Sequence, residues 1–259
     1  MIRLFLICVG MAVTSADLMA QPALVEAASV SASTAEPPAA ETSAAETLAR
    51  AERLNEIIRL SGLTGLSLQA RHLAQRELNN QQAALGFQYQ VAGRVAQLWS
   101  PQSLTARLKQ PLESLTEQQL QQLFSTLNSK VMRQAKTKEN QAVDHQNSPE
   151  FLAYVEKLRA QPPSSGRLKT IVDLDRAMHF SDLILQTRAS VYAQLQQVLK
   201  DWQPPQDWQQ LLRAEVHEFL LFTYRRTPND GIQTLTRAYQ QPALQQWLQD
   251  ASGLLKEEG

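Results

Sequence analysis

Apolar residues recur at intervals of three and four along most of the chain from Thr47 onward, and the densest such segment is Trp208 to Arg226, WQQLLRAEVHEFLLFTYRR. Trp208, Leu211, Leu212, Val216, Phe219 and Leu220 fall on one helical face, which predicts an amphipathic helix. Leu221, Phe222 and Tyr224 then add apolar side chains on the remaining faces. The last two turns are therefore expected to be enclosed by other helices, and this helix is the expected centre of the fold.

The same period marks the other elements. Leu48, Ala51, Leu54, Ile57 and Ile58 form a stripe ending near Gly62, a second helix is expected over 66–85, and a third over Phe87 to Trp99. The third stops at Ser100-Pro101, where serine serves as an N-cap and proline takes the helical position whose missing N–H costs nothing. Ser148-Pro149 and Thr227-Pro228 repeat the device. Leu120, Leu123, Phe124, Leu127 and Val131 form the cleanest stripe outside the central helix, and Thr116 with Gln119 supplies a capping box ahead of it. Ile184, Val191, Leu195, Val198 and Trp202 form another, ended by Pro204-Pro205. The stretch Gln161 to Gly166, QPPSSG, reads as a linker or hinge. Alternating runs of β-branched residues between glycine turns are lacking. The expected fold is all-α, an irregular antiparallel bundle of about eight to ten helices.

The N-terminus differs from this pattern. Met1 to Ala20 has a basic start at Arg3, an apolar core from Leu4 to Val13 and small residues after it, the organisation of an export signal cut after Ala16 or Ala20. The apolar core would make about 15 Å of helix, too short to cross a hydrocarbon layer of about 30 Å. The expected location is the periplasm, with no stable transmembrane segment after cleavage. Cys8, the single cysteine, lies inside that core, so the mature chain is expected to have no disulfide and to depend on helix packing. Residues 21–46 are rich in Ala, Ser, Thr, Pro and Glu and read as a disordered linker, leaving 47–259 as the helical domain. The whole chain balances 25 basic against 25 acidic residues, whereas the body beyond residue 46 carries a net +4. No field of that size draws a protein to nucleic acid.

A shift of 112 residues lays Leu120 on Ile232, Leu123 on Leu235 and Leu127 on Tyr239, which suggests related halves over 47–146 and 147–259. The runs Leu115-Thr116-Glu117-Gln118-Gln119-Leu120 into Leu127-Asn128-Ser129, and Phe222-Thr223-Tyr224-Arg225 through Ile232 into Tyr239-Gln240-Gln241-Pro242, carry a resemblance. They resemble a family of exported bacterial helical proteins described as a domain of unknown function, whose duplicated unit has a Leu-Ser/Thr helix start and a Ser-Pro-x-Gly motif. Phe151 to Arg167, with Leu168 and Asp175, is similar to the region between the two units. The likeness extends over most of Thr47 to Leu255. Lys130 and Met132 stand where the first unit expects Pro and Gly, and Leu244 replaces Gly in the second. The resemblance implies an exported helical domain and brings no catalytic residues.

Candidate chemistry is sparse. His217-Glu218 opens like a zinc-protease helix, but Leu221 stands where the second histidine ligand belongs. Asp175 and His179 are four apart, a spacing that suits a metal pair, a base with its orienter, or a helix-end ion pair near Phe180-Ser181. Gly-rich phosphate loops and nucleophile elbows are lacking. If a groove exists, its candidate residues are His217, Glu218, Arg225, Asp175 and His179, with no cofactor expected. The leading expectation is a non-catalytic interaction protein whose groove takes an unidentified protein or amphipathic ligand in the cell envelope. One alternative is a hydrolase or metal-dependent enzyme using Asp175, His179, His217 and Glu218. Another is binding to a lipid surface through the basic run Lys130, Arg133, Lys136 and Lys138.

Overall fold

The computed structural model describes residues 39–146 and 148–256. The expected signal segment 1–20 and the first part of the expected linker lie outside the described residues. In chain order the helices are α1 (Ala39–Ser61), α2 (Gly65–Asn80), α3 (Leu85–Leu98), α4 (Pro101–Glu113), α5 (Glu117–Leu127) and α6 (Lys130–Asp144), then α7 (Pro149–Ala160), α8 (Ser165–Met178), α9 (Phe180–Val198), α10 (Trp208–Thr223), α11 (Asn229–Tyr239) and α12 (Pro242–Lys256). No strand occurs among the described residues, and the fold is an all-α helical bundle. The helices outnumber the expectation because the stripes give no separate signal for every short turn. None of the helices among the described residues is long and apolar enough to cross a membrane.

Local chemistry accounts for the boundaries. Ser100 and Ser148 accept the N–H of Ser103 and Phe151 at the heads of α4 and α7, each with proline just inside the helix. Thr116 and Gln119 form both halves of the capping box of α5. Thr227-Pro228 behaves otherwise: α11 begins at Asn229 without a side-chain cap, and the Thr227 hydroxyl instead accepts from Lys138 Nζ at 2.7 Å. The second helix ends at Asn80, five residues short of its expected end, and Gln82 adopts a positive φ of 49° in the turn that follows. The linker after α7 is shorter than expected as well, because Ser164 caps α8 and draws Ser165 and Gly166 into that helix. At the other end α1 starts at Ala39, inside the stretch expected to be disordered. Ala and Glu dominate this segment and are strong helix formers.

One core runs through the bundle, from Leu54 in α1 to Leu255 in α12. α9 packs against α2, α3 and α12, while α6 packs against α10 and α11, so elements on either side of residue 147 interleave. The pair α5–α6 and the pair α11–α12 have identical lengths at an offset of 112 residues. Their inward positions also coincide: Leu120 with Ile232, Leu123 with Leu235, Met132 with Leu244, and Ala135 with Trp247 are all buried. α10 is enclosed at its C-terminal end, where Phe219, Leu220, Leu221, Phe222 and Thr223 are buried in succession, followed by Tyr224. Its first turns are more open. Leu211, placed by period on the inner face, is 49% exposed.

The tryptophans are core residues with satisfied N–H groups where they are most deeply buried. Trp99 donates to Ser190 Oγ at 3.1 Å and Trp247 to the Leu108 carbonyl at 3.0 Å. Tyr192 of α9 stands edge-on to both Trp202 and Trp208, closing the loop between α9 and α10.

Gly62 ends α1 at a φ of +71°, a conformation that disfavours side chains. A Cβ there would also lie 2.1 Å from Lys136 Nζ, whose ammonium crosses the turn toward the Ser61 carbonyl at 3.4 Å. Replacing the enclosed Phe219 by alanine is expected to cost about 3 to 5 kcal/mol through the cavity left behind. Leu211→Ala is expected to cost less than about 0.5 kcal/mol, as a change at an exposed position. Chemical denaturation of the two variants checks the contrast, and equal losses would contradict the asymmetric burial of α10.

Candidate functional site

α8 ends at Met178, His179 turns the chain through a left-handed conformation with φ 51° and ψ 25°, and α9 begins at Phe180. The first N–H groups of α9 need acceptors that its own helix lacks. Asp175, one turn back in α8, supplies one: its Oδ1 accepts the Ser181 N–H at 2.8 Å and its Oδ2 accepts the Ser181 hydroxyl at 2.7 Å. His217 of α10 brings Nε2 to 3.0 Å from the same Oδ2. An ionised carboxylate can only accept, so the imidazole donates from Nε2. Asp175 is buried. Burial pushes its carboxyl up, but hydrogen bonds from the His217 imidazole and from Ser181 outweigh that and hold it below the usual carboxylate value.

These three residue types also build hydrolase triads, but the wiring here differs. A triad needs the imidazole between the hydroxyl and the carboxylate, so that the base can take the proton of the nucleophile. In this protein Ser181 and His217 both spend their bonds on Asp175. The arrangement ties the α8–α9 break to α10. It orients no nucleophile.

The other candidates go elsewhere. His179 Nε2 lies 3.2 Å from Gln245 Oε1 of α12, and Gln245 in turn donates to the carbonyls of Ala177 and Tyr239. Asp175 and His179 thus have separate partners, because the left-handed residue turns the imidazole off the α8 face. Glu218 forms a two-point pair with Arg159 of α7 at 2.9 and 3.0 Å. Arg225 donates to Glu150 at 2.8 Å and to the Phe222 carbonyl, with its guanidinium 3.8 Å above the Phe222 ring centroid. Of the five residues, only Asp175 and His217 are brought together by direct pairing. No group of three His, Cys, Asp or Glu able to hold a metal ion occurs among the described residues.

The basic run of α6 also divides. Lys130 and Arg133 are exposed, Lys136 covers the Gly62 turn and pairs with Glu139, and Lys138 reaches Thr227. Lys130, Arg133 and Lys136 follow one another at three-residue spacing on one side of α6, but Lys136 is drawn to Ser61 and Glu139, and Lys138, two positions on, points elsewhere.

Clefts also lie between helices, two of them with room for a ligand. The larger, about 470 Å³, lies between α8 and α11 and is lined by polar side chains including Asp173, Arg176, Gln233, Arg237 and Gln240, with Gln245 of α12 at its floor. The second, about 330 Å³, lies between α6 and the α10–α11 turn. Neither is lined by His217, Glu218 or Asp175. Sequence reading missed the first cleft because Gln233, Arg237 and Gln240 look like an ordinary solvated face. Their spacing of four and three is the only local signal. It also missed the buried Arg188 of α9, 3.9 Å from Glu215, a pairing between positions on two different helices.

Comparison with family models, with curated proteins and with solved structures finds no match.

Asp175→Ala removes the acceptor for both Ser181 and His217, so a loss of about 1 to 3 kcal/mol is expected at pH 7. The carboxyl titrates lower in the folded chain than in the unfolded one. Its contribution is therefore full above the unfolded value of about 3.9 and lost as pH falls through the lower folded value. The stability gap between the native chain and the variant should shrink on acidification below about pH 4 in denaturant titrations. A gap that stays constant to strongly acid pH would contradict the capping role.

Proposed function

We propose that this protein is an exported, non-catalytic binding protein of the cell envelope that receives a polar segment of a partner protein in the α8–α11 cleft. The observation that carries this reading is the alignment of Gln233, Arg237 and Gln240, all exposed, along α11 opposite Asp173 and Arg176 of α8. A volume of about 470 Å³ is in the range of ligand-binding clefts. Ala177 is its one apolar lining residue, and amides, hydroxyls, guanidinium groups and the Asp173 carboxylate supply the rest. Such a lining suits the peptide groups and polar side chains of an extended segment better than an amphipathic helix, which needs an apolar groove. Arg176 and Arg237 against Asp173 favour a segment with acidic character.

Support for export comes from Arg3, the apolar run Leu4 to Val13 and the small residues after it, and from the resemblance to exported helical proteins. The hydrolase alternative has less support, since Asp175 and His217 pair with each other while His179 and Glu218 are engaged elsewhere, with Gln245 and Arg159. The lipid-surface alternative through the α6 run has less support, since Lys136 and Lys138 are engaged with Ser61, Glu139 and Thr227.

A photo-crosslinking amino acid at Gln240 is expected to trap a discrete partner in intact cells, whereas the same group at the exposed Asn55 of α1 gives none. Arg237→Glu should lower the yield of that adduct about tenfold, equivalent to one lost charged contact. Identical adducts from both positions, or a yield indifferent to Arg237→Glu, would count against the cleft.

A further inference from the structure

The cleft between α6 and the α10–α11 turn has a different chemistry. Its lining includes Lys138 and His145 from α6 and its C-cap, and Arg225 and Arg226 from the turn, with no carboxylate among the lining residues. We propose that it is a binding site for a phosphomonoester group, carried either by a soluble phosphate ester or by a lipid headgroup that ends in a monoester phosphate. This site is separate from the α8–α11 cleft, and the failure of either proposal leaves the other standing.

The turn that presents the two arginines is held from several sides. Arg167 of α8 donates to the Tyr224 carbonyl at 2.6 Å, to the Thr227 carbonyl at 2.9 Å and to Asn229 Oδ1 at 2.8 Å. Behind it the Tyr224 hydroxyl donates to Glu139 of α6 at 2.9 Å, and burial pushes that phenol well above its usual value, so it stays a donor. Lys138 closes the other edge through Thr227. A site of fixed donors loses little freedom when an anion enters.

The donors left over suit a phosphoryl group. The Lys138 ammonium has three N–H groups and one is used on Thr227 Oγ1, leaving two for a ligand. The Thr227 hydroxyl accepts that bond and keeps its own proton to donate. Arg226 is exposed and has no side-chain hydrogen bond or ion pair with a described residue. Arg225 lies over the buried Phe222 ring, and its carboxylate partner, Glu150, is 55% exposed. Three permanent cations around one cleft of about 330 Å³ repel one another, and a single peripheral glutamate offsets only part of that charge. A dianion with three acceptor oxygens compensates it where a carboxylate, with one charge and two oxygens, does not.

The test titrates the purified full chain with inorganic phosphate and with glycerol phosphate at constant ionic strength, follows heat or chemical shifts, and repeats both with acetate. A parallel arm measures cosedimentation with vesicles of phosphatidic acid, whose headgroup is a phosphomonoester, in phosphatidylcholine, with phosphatidylcholine vesicles alone as the blank. Arg226→Gln and Lys138→Gln are expected to weaken binding about tenfold each, and Arg133→Gln, exposed elsewhere on α6, to leave it unchanged. Because Arg226 has no described partner, its variant should unfold like the parent. Saturable binding of the soluble phosphates with that pattern supports the site and assigns a free phosphate ester. Binding to vesicles alone with the same pattern supports it and assigns a headgroup. Absence of binding in both arms, acetate binding as tightly as phosphate, or equal weakening by Arg133→Gln would each overturn the proposal.

Discussion

The enclosure of the last two turns of α10 is the constraint on which the rest of the bundle depends. Phe219 to Thr223 are buried without a break, so no side of the helix there faces water, and α6, α7, α8 and α9 all pack against it. Burying one such side chain is worth roughly 1.5 to 3 kcal/mol, which makes this short segment a large part of the apolar driving force. A helix covered on every side leaves its final carbonyls without water, and the protein must supply donors. Arg167, Arg225 and the backbone of the following turn do so.

That requirement explains why so much polar chemistry gathers at helix ends. Asp175 answers the unmet Ser181 N–H at the head of α9 and, through His217, fixes α10 against the α8–α9 break. Gln245 performs a similar service for the carbonyls of Ala177 and Tyr239. The same need at the α10–α11 turn points Arg167 inward and leaves Arg225 and Arg226 lining a cleft. The second cleft is thus a by-product of how the central helix is terminated, and its unbalanced charge is what distinguishes it from an ordinary solvated surface.

Much of the architecture was legible from residues within one or two turns of each other. The capping box at Thr116 and the Ser-Pro starts at Ser100 and Ser148 form as expected, because a cap joins a side chain to a backbone N–H only three positions away. The offset of 112 residues, visible as three matched apolar positions, returns as two helical pairs of equal length with coincident buried positions. Thr227-Pro228 departs from its pattern since Lys138, a residue 89 positions away, takes the hydroxyl that would have capped α11. Leu211 departs because periodicity fixes a face and says nothing of where neighbouring helices stop.

The candidate site was legible only as residue types. Asp175, His179, His217, Glu218 and Arg225 are the polar side chains that interrupt apolar stripes, and each does make a specific bond in the fold. Which bond it makes depends on partners 42, 66, 59 and 75 positions away, beyond the reach of any local pattern. The sequence by itself determined that this protein is helical, where most helices begin, and that the segment from Trp208 is its apolar centre, because hydrophobic period and capping are short-range properties. Only the tertiary structure decided that the suspected acid–base residues serve as ties between helices and that two clefts lie elsewhere, because packing twelve short helices around one core brings together side chains that the chain order keeps apart.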